Sequence, residues 1–187
     1  LEKKRLPPGQ RIAEDFPVLH LGEVPSFDPE TWDFFLDGEV KSPLKIGWEV
    51  LNKLPRVKQI SDFHCVTGWS RLRDEWEGIQ VRLLLEMAQP ASEAGHALVY
   101  AEGDYTTSLA LKDLMDNDVL LALQFKARPL EPIHGGPARL LVPKKYAYKC
   151  AKWVRGIRLY KEPHRGFWEI RGYSDSADPW KEERHSR

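Results

Sequence analysis

Val57-Lys58-Gln59-Ile60-Ser61-Asp62-Phe63-His64-Cys65-Val66-Thr67-Gly68 is the stretch on which the reading of the chain turns. Bounded by Pro55 and Gly68, it reads as a buried strand from Val57 to Val66 that ends in a turn and leaves a cysteine at the strand end. A lone cysteine in such a place is most often a small buried hydrophobe. Its position at a loop edge, where ligands bind, gives it a second reading. His64 does not help a thiol-nucleophile reading, because neighbouring side chains of a strand point to opposite faces.

Working outward, Ile46 to Leu54 carries Trp48, Leu51 and Leu54 at helical spacing and is stopped by Pro55. Further upstream, Trp32, Phe34 and Leu36 alternate into a hairpin signal at Asp37-Gly38. Pro7, Pro8, Pro17, Pro25 and Pro29 make residues 1–30 an extended N-terminal segment. Downstream, Val81 to Ala88 reads as a helix, Ala97 to Tyr100 as a strand and Gly103-Asp104 as a turn. Ser108 to Met115 reads as a short helix, Val119 to Phe125 and Ala138 to Val142 as strands, Lys144 to Lys152 as a helix and Val154 to Tyr160 as a last strand. Residues 174–187 are polar and read as a tail. Strands and short helices mix without a βαβ rhythm, which predicts an α+β fold in one domain, 1–187.

The 187 residues are 42% hydrophobic and 30% charged, a balance that excludes wholesale disorder. Lys+Arg 28 against Asp+Glu 28 argues against a polyanion-coating protein. No apolar run approaches the roughly 20 residues that cross a bilayer, so no membrane span is expected. The charged start, running into Pro7 and Pro8, holds no secretory core, and a cytoplasmic location is expected. Cys65 and Cys150 are too few for a disulfide framework or a thiolate-only zinc site.

Three further places bear on chemistry. In His134-Gly135-Gly136-Pro137-Ala138-Arg139 the paired glycines either let backbone N–H groups approach a ligand or form a plain turn. From Arg139 to Lys161 the chain has Arg139, Lys144, Lys145, Lys149, Lys152, Arg155, Arg158 and Lys161 and no acid. That run is a solvated basic face, a nucleic-acid contact or a pocket for one phosphate, with Lys145, Lys149 and Lys152 at helical spacing. Gly103-Asp104-Tyr105-Thr106-Thr107-Ser108 is a polar loop.

Taken together, four phrases in order resemble the molybdopterin-binding domain of the sulfite oxidase family, in its short, single-domain prokaryotic form, from about Arg11 to about Leu159. They are Arg11 with Asp15-Phe16-Pro17-Val18-Leu19, Asp62 with His64-Cys65-Val66-Thr67-Gly68-Trp69-Ser70, the Tyr105-Thr106-Thr107 loop, and Gly135-Gly136-Pro137-Ala138-Arg139-Leu140 with Tyr146, Lys149 and Lys152-Trp153. The resemblance implies mixed sheets with short helices and an oxidoreductase whose molybdenum is held by a pyranopterin dithiolene (molybdopterin) and one protein thiolate, by position Cys65. A soft thiolate suits a metal already bound by sulfur. It implies cofactor-binding roles for Arg11, Phe16, Pro17, His64, His134, Arg139, Cys150, Ala151 and Lys152. His134 stands where the methionine-sulfoxide-reductase branch has Asn. Arg139 and Lys152 would face the phosphate end, and Tyr105 would be a catalytic hydrogen-bond or proton-transfer group.

The implied reaction is two-electron oxygen-atom transfer on a small oxyanion or an S- or N-oxide. The residues after Cys65, Val66 to Ser70, carry no charge, and Arg71 and Arg73 come later, so weak sulfite oxidation is expected. The chain has no room for the family's haem domain, so a separate electron-transfer protein is expected beside the small-molecule substrate, with no nucleic-acid partner. The rival readings are a thiol-dependent enzyme with Cys65 as nucleophile and His134 as base, and a non-enzymatic module that binds nucleic acid through the basic run.

Overall fold

The computed structural model describes residues 5–186. Two sheets share one apolar core. The first joins β1 (Arg11–Ile12), β4 (Val57–Cys65), β5 (Trp69–Gln80), β8 (Leu120–Phe125), β9 (Arg128–Pro129) and β10 (Arg139–Leu141). The second runs in the order β3 (Leu44–Gly47), β2 (Asp33–Gly38), β11 (Val154–Tyr160), β6 (His96–Ala101), β7 (Thr106–Ala110). Each sheet has one parallel pair, β1 with β5 and β11 with β2, among antiparallel ones. Four short helices punctuate them: α1 (Trp48–Asn52), α2 (Val81–Ala88), α3 (Leu111–Leu114) and α4 (Phe167–Ile170). The α+β expectation holds.

The core follows from strand alternation. In β2, Phe34 and Leu36 are buried while their neighbours are half-exposed. Helix α2 buries Val81, Leu84, Leu85 and Ala88 on one stripe. Strand β11, buried apart from half-buried Arg155 and Tyr160 and exposed Arg158, lies centrally between β2 and β6. Gly156 is required there, since a Cβ would stand 2.4 Å from the Phe35 ring.

Several local readings are corrected. Ser108–Met115 is not a helix: Thr107 and Leu109 alternate inward as β7 and pair with β6, leaving only Leu111–Leu114 helical. Lys144–Lys152 is irregular apart from a 3₁₀ turn at Ala147–Lys149, because Tyr146, Tyr148, Lys149, Cys150 and Ala151 are all buried and no helix stripe exists. Lys145, Lys149 and Lys152 therefore do not share a helix face. Residues beyond Tyr173, expected as a tail, pack on the body instead. Ala177 is fully buried and Tyr148 Oη donates to the Ser174 carbonyl at 2.6 Å. Arg187 lies outside the described residues.

Candidate active site

The β4–β5 hairpin sets the first wall. Cys65 pairs with Trp69 across a turn in which Gly68 N–H donates to the Cys65 carbonyl at 3.1 Å. Gly68 takes φ +95°, a conformation that favours glycine. Gln10 Nε2 donates to the same carbonyl at 3.1 Å, so the Cys65 backbone is held from both sides. The Cys65 Sγ lies 3.1 Å from Thr67 Oγ1.

The Gly135–Arg139 loop sets the second wall. Gly135, at φ +108°, lies so close that an added Cβ would stand 3.0 Å from the Lys152 side chain and 3.1 Å from that of Arg139. Arg139 is 3% exposed. Its Nη1 donates to the His134 carbonyl at 2.7 Å and its Nη2 to the Cys150 carbonyl at 3.1 Å, while its Nε is buried without a partner. Burial brings the guanidinium down to about 10. Lys152 donates to the Ile133 carbonyl at 2.7 Å, and burial and then Arg139 lower it to about 8. Trp153, at φ +52°, ties this loop to β11 through Nε1–H to the Pro132 carbonyl at 2.7 Å.

Between these walls lies a cavity of about 380 Å³, within the range of small-molecule and cofactor pockets. It brings together Phe16, Pro17, Cys65, Tyr105, Arg139, Cys150, Ala151 and Lys152 of the sequence-derived candidates. Tyr105 donates to the Tyr148 carbonyl at 2.5 Å, and burial, reinforced by Glu169, holds its phenol well above the usual range. Cys150 accepts from Val142 N–H at 3.3 Å, and burial pushes its thiol up to about 11, so it stays neutral.

Three candidates stay off the wall. Arg11 is exposed on β1, where its backbone pairs with β5. His64 faces away from the cavity, as strand alternation dictates. It hydrogen-bonds Ser70 Oγ at 2.8 Å, and burial lowers its basicity. His134 stands behind Phe16, its ring stacked on the phenyl at 4.5 Å and 11°, its Nδ1 buried without a partner. Burial, then Lys152 and Arg139, lowers its basicity. Neither histidine is recorded within hydrogen-bond reach of Cys65, whose sulfur meets only the Thr67 hydroxyl among the described residues, so the thiol-enzyme reading lacks its base.

The basic run is dispersed by acids from distant strands and loops. Lys144 meets Asp116 at 2.7 Å, Lys145 meets Asp113 at 2.9 Å, and buried Lys149 meets Glu169. Arg155 meets Asp33 and Glu102 at 2.6 Å, and Arg158 meets Asp37 at 2.7 Å. Arg139 and Lys152 are the cations of the cavity wall with no carboxylate partner among the described residues. Arg71 is not on that wall: it is buried in a bidentate pair with Asp74 at 2.5 and 2.7 Å, and Arg73 is exposed. The wall also holds Trp153, quoted in the family phrase without a role, and residues that sequence reasoning missed, among them His20, Trp168 and Tyr173. For Trp168 the one signal available was the chain's seven tryptophans.

Residues 21–168 match the family model of the oxidoreductase molybdopterin-binding domain. The chain belongs to this family. It is 42% identical over 181 residues to the uncharacterized oxidoreductase YuiH of Bacillus subtilis, covering 96% of this chain and 91% of that one. It is 31% identical over 161 residues to the protein-methionine-sulfoxide reductase catalytic subunit MsrP of Campylobacter jejuni, covering 77% of this chain and 54% of the relative. It therefore spans about half the length of that catalytic subunit. The crystal structure of the sulfane dehydrogenase SoxCD from Paracoccus pantotrophus matches with a TM-score of 0.68 at 23% identity, over 75% of this chain and 41% of that one, a likeness of fold. The protein is a molybdopterin-dependent oxidoreductase. The cavity fits that cofactor: a soft sulfur donor stands on one wall, and an orphaned guanidinium Nε on a buried, carboxylate-free arginine stands on another.

Proposed function

We propose that this enzyme removes an oxygen atom from a small, neutral S-oxide or N-oxide, with electrons delivered by a separate electron-transfer protein. For an S-oxide the balance is R₂SO + 2 H⁺ + 2 e⁻ → R₂S + H₂O. Bound in the cavity, the molybdopterin cofactor supplies the two-electron couple. Cys65 would hold the metal by its sulfur. Arg139, as a fork, and Lys152, as a point charge, would hold the phosphate end and be neutralised by it. Phe16, Pro17 and Ala151 line the cavity with apolar surface and would keep water from the bound cofactor. Tyr105 remains a neutral phenol on the wall and would hand a proton toward the substrate oxygen by releasing its bond to the Tyr148 carbonyl.

The observation that carries this reading is the charge inventory of the wall. The two cations without carboxylates are the two expected at the phosphate end, and Arg71 is spent on Asp74. Glu102, also on the wall, is paired with Arg155. Among the described residues of the wall no cation is left over for a sulfite dianion, whose unpaired desolvation is costly. The name of the Campylobacter jejuni relative, a methionine-sulfoxide reductase, supports an S-oxide.

The test is a dye-linked assay of the molybdenum-loaded protein on a panel of S-oxides, N-oxides and sulfite. S- or N-oxide reduction is expected to dominate, with sulfite oxidation showing a high KM. Efficient sulfite turnover at micromolar KM would overturn the reading.

A further inference from the structure

The cavity has a second side whose chemistry differs from the basic one. Tyr148, Trp168 and Tyr173 line it together with Val66, the residue that follows Cys65. Tyr148 and Tyr173 meet edge to face at 5.2 Å, and Trp168 lies 4.9 Å from Tyr173. These rings and Val66 pack in a small apolar cluster of their own, built on Tyr146, Tyr148 and Ala177 and separate from the main core. Tyr148 spends its hydroxyl on the Ser174 carbonyl at 2.6 Å, so what it offers the cavity is ring carbon.

The wall is held in place firmly for a piece of chain so near the C-terminus. Glu169, between Trp168 and the exposed Ile170, is buried, and its Oε1 accepts from Lys149, from Thr107 Oγ1 at 2.8 Å and from Ser108 N–H at 3.0 Å. Gly166 passes so close to β7 that an added Cβ would stand 2.5 Å from the Thr106 carbonyl oxygen. The family match stops at residue 168, so Tyr173 and the Ser174–Ala177 support come from sequence outside it.

An aromatic wall without a free charge, set beside the sulfur of Cys65, recognises carbon and polarizable sulfur rather than a hydrated anion. We propose that Tyr148, Trp168 and Tyr173 form the substrate-recognition wall and make the enzyme selective for organic S-oxides bearing an apolar substituent over inorganic oxyanions. The inference deepens the S-oxide reading above and rests on it.

The experiment uses molybdenum-loaded wild type, Trp168→Leu, Tyr173→Leu and the conservative Trp168→Phe. Calorimetry on the reduced protein measures binding of methyl phenyl sulfide, the thioether product, which a reduced centre does not oxidise. A reduced-dye assay measures kcat and KM for methyl phenyl sulfoxide and for chlorate. Each Leu variant is expected to weaken sulfide binding and raise the sulfoxide KM by about tenfold, the scale of one aromatic contact, with kcat and the chlorate KM little changed. Trp168→Phe is expected to restore most of the loss. Unchanged sulfide binding, an equal loss for chlorate, or a loss of molybdenum in both folded Leu variants would overturn the wall. Should Trp168→Leu fail to fold, Tyr173→Leu decides alone. Wild type that binds the sulfide through this wall yet does not reduce the sulfoxide would refute the reaction while leaving the wall standing.

Discussion

Arg139→Met removes a buried cation and leaves an unbranched apolar chain in its place, and the structure makes the two consequences separable. In the cofactor-free protein the guanidinium has no carboxylate and an unpartnered Nε, and burying such a cation costs several kcal/mol. Against this stand its bonds to the His134 and Cys150 carbonyls, about 1.5–3 kcal/mol each when charge-assisted. The rings of Phe63 at 5.1 Å, Phe16 at 5.7 Å and Trp76 at 5.9 Å add cation–π attraction. The opposing contributions are of similar size, so the cofactor-free variant is expected to change in stability by no more than about 2 kcal/mol. With an anion bound, one further charge-assisted contact is lost, about 1.5–3 kcal/mol, or a tenfold to hundredfold fall in affinity. Denaturant unfolding of cofactor-free protein gives the first quantity, and molybdenum content with the fluorescence of released pterin gives the second. A cofactor-free protein destabilised by more than about 4 kcal/mol that still fills with cofactor would refute the reasoning, because Arg139 would then be a purely structural cation.

Lys152, lowered to about 8 by burial and Arg139, loses its proton as pH rises through that value in the cofactor-free protein. Its affinity for pyrophosphate, corrected for the anion's own titration, is therefore expected to fall above about pH 8, and calorimetry should find that dependence gone in Lys152→Gln. Lys149→Met strands Glu169 at full burial, and urea unfolding should record a loss of about 3–5 kcal/mol, partly relieved by adding Glu169→Gln. Tyr105→Phe is expected to lower kcat on the order of a hundredfold at normal molybdenum content, measured in the dye-linked assay; an unchanged kcat would reduce Tyr105 to packing.

What the sequence made legible divides along physical lines. Strands whose apolar residues dominate, such as β8 and β11, and the stripe of α2 could be read locally. The longest strand, β5, could not, because Arg71, Asp74 and Glu77 make it look polar; Arg71 and Asp74 are buried only because each neutralises the other. The basic run misled in the same way: its acids lie on β2, in and just after α3 and on α4, and such pairings exist only once the chain is folded. The Cys65 turn and the Gly135–Arg139 loop were visible because each depends on residues adjacent in sequence. Trp168 and Tyr173 were hidden in a stretch whose polar composition concealed the burial of Glu169, Ser174 and Ala177. Strand alternation alone separates His64 from the cysteine and also keeps it off the wall that Phe63 and Cys65 line.

The central claim is that the Cys65 sulfur binds the molybdenum of this cavity. X-ray absorption at the molybdenum edge, on wild type, Cys65→Ser and Cys150→Ser loaded in the same host, tests it most directly. The account expects Cys65→Ser to lose one sulfur from the metal's shell, and with it turnover, while Cys150→Ser keeps the wild-type shell. An unchanged sulfur shell in Cys65→Ser, or a sulfur lost in Cys150→Ser, would contradict it.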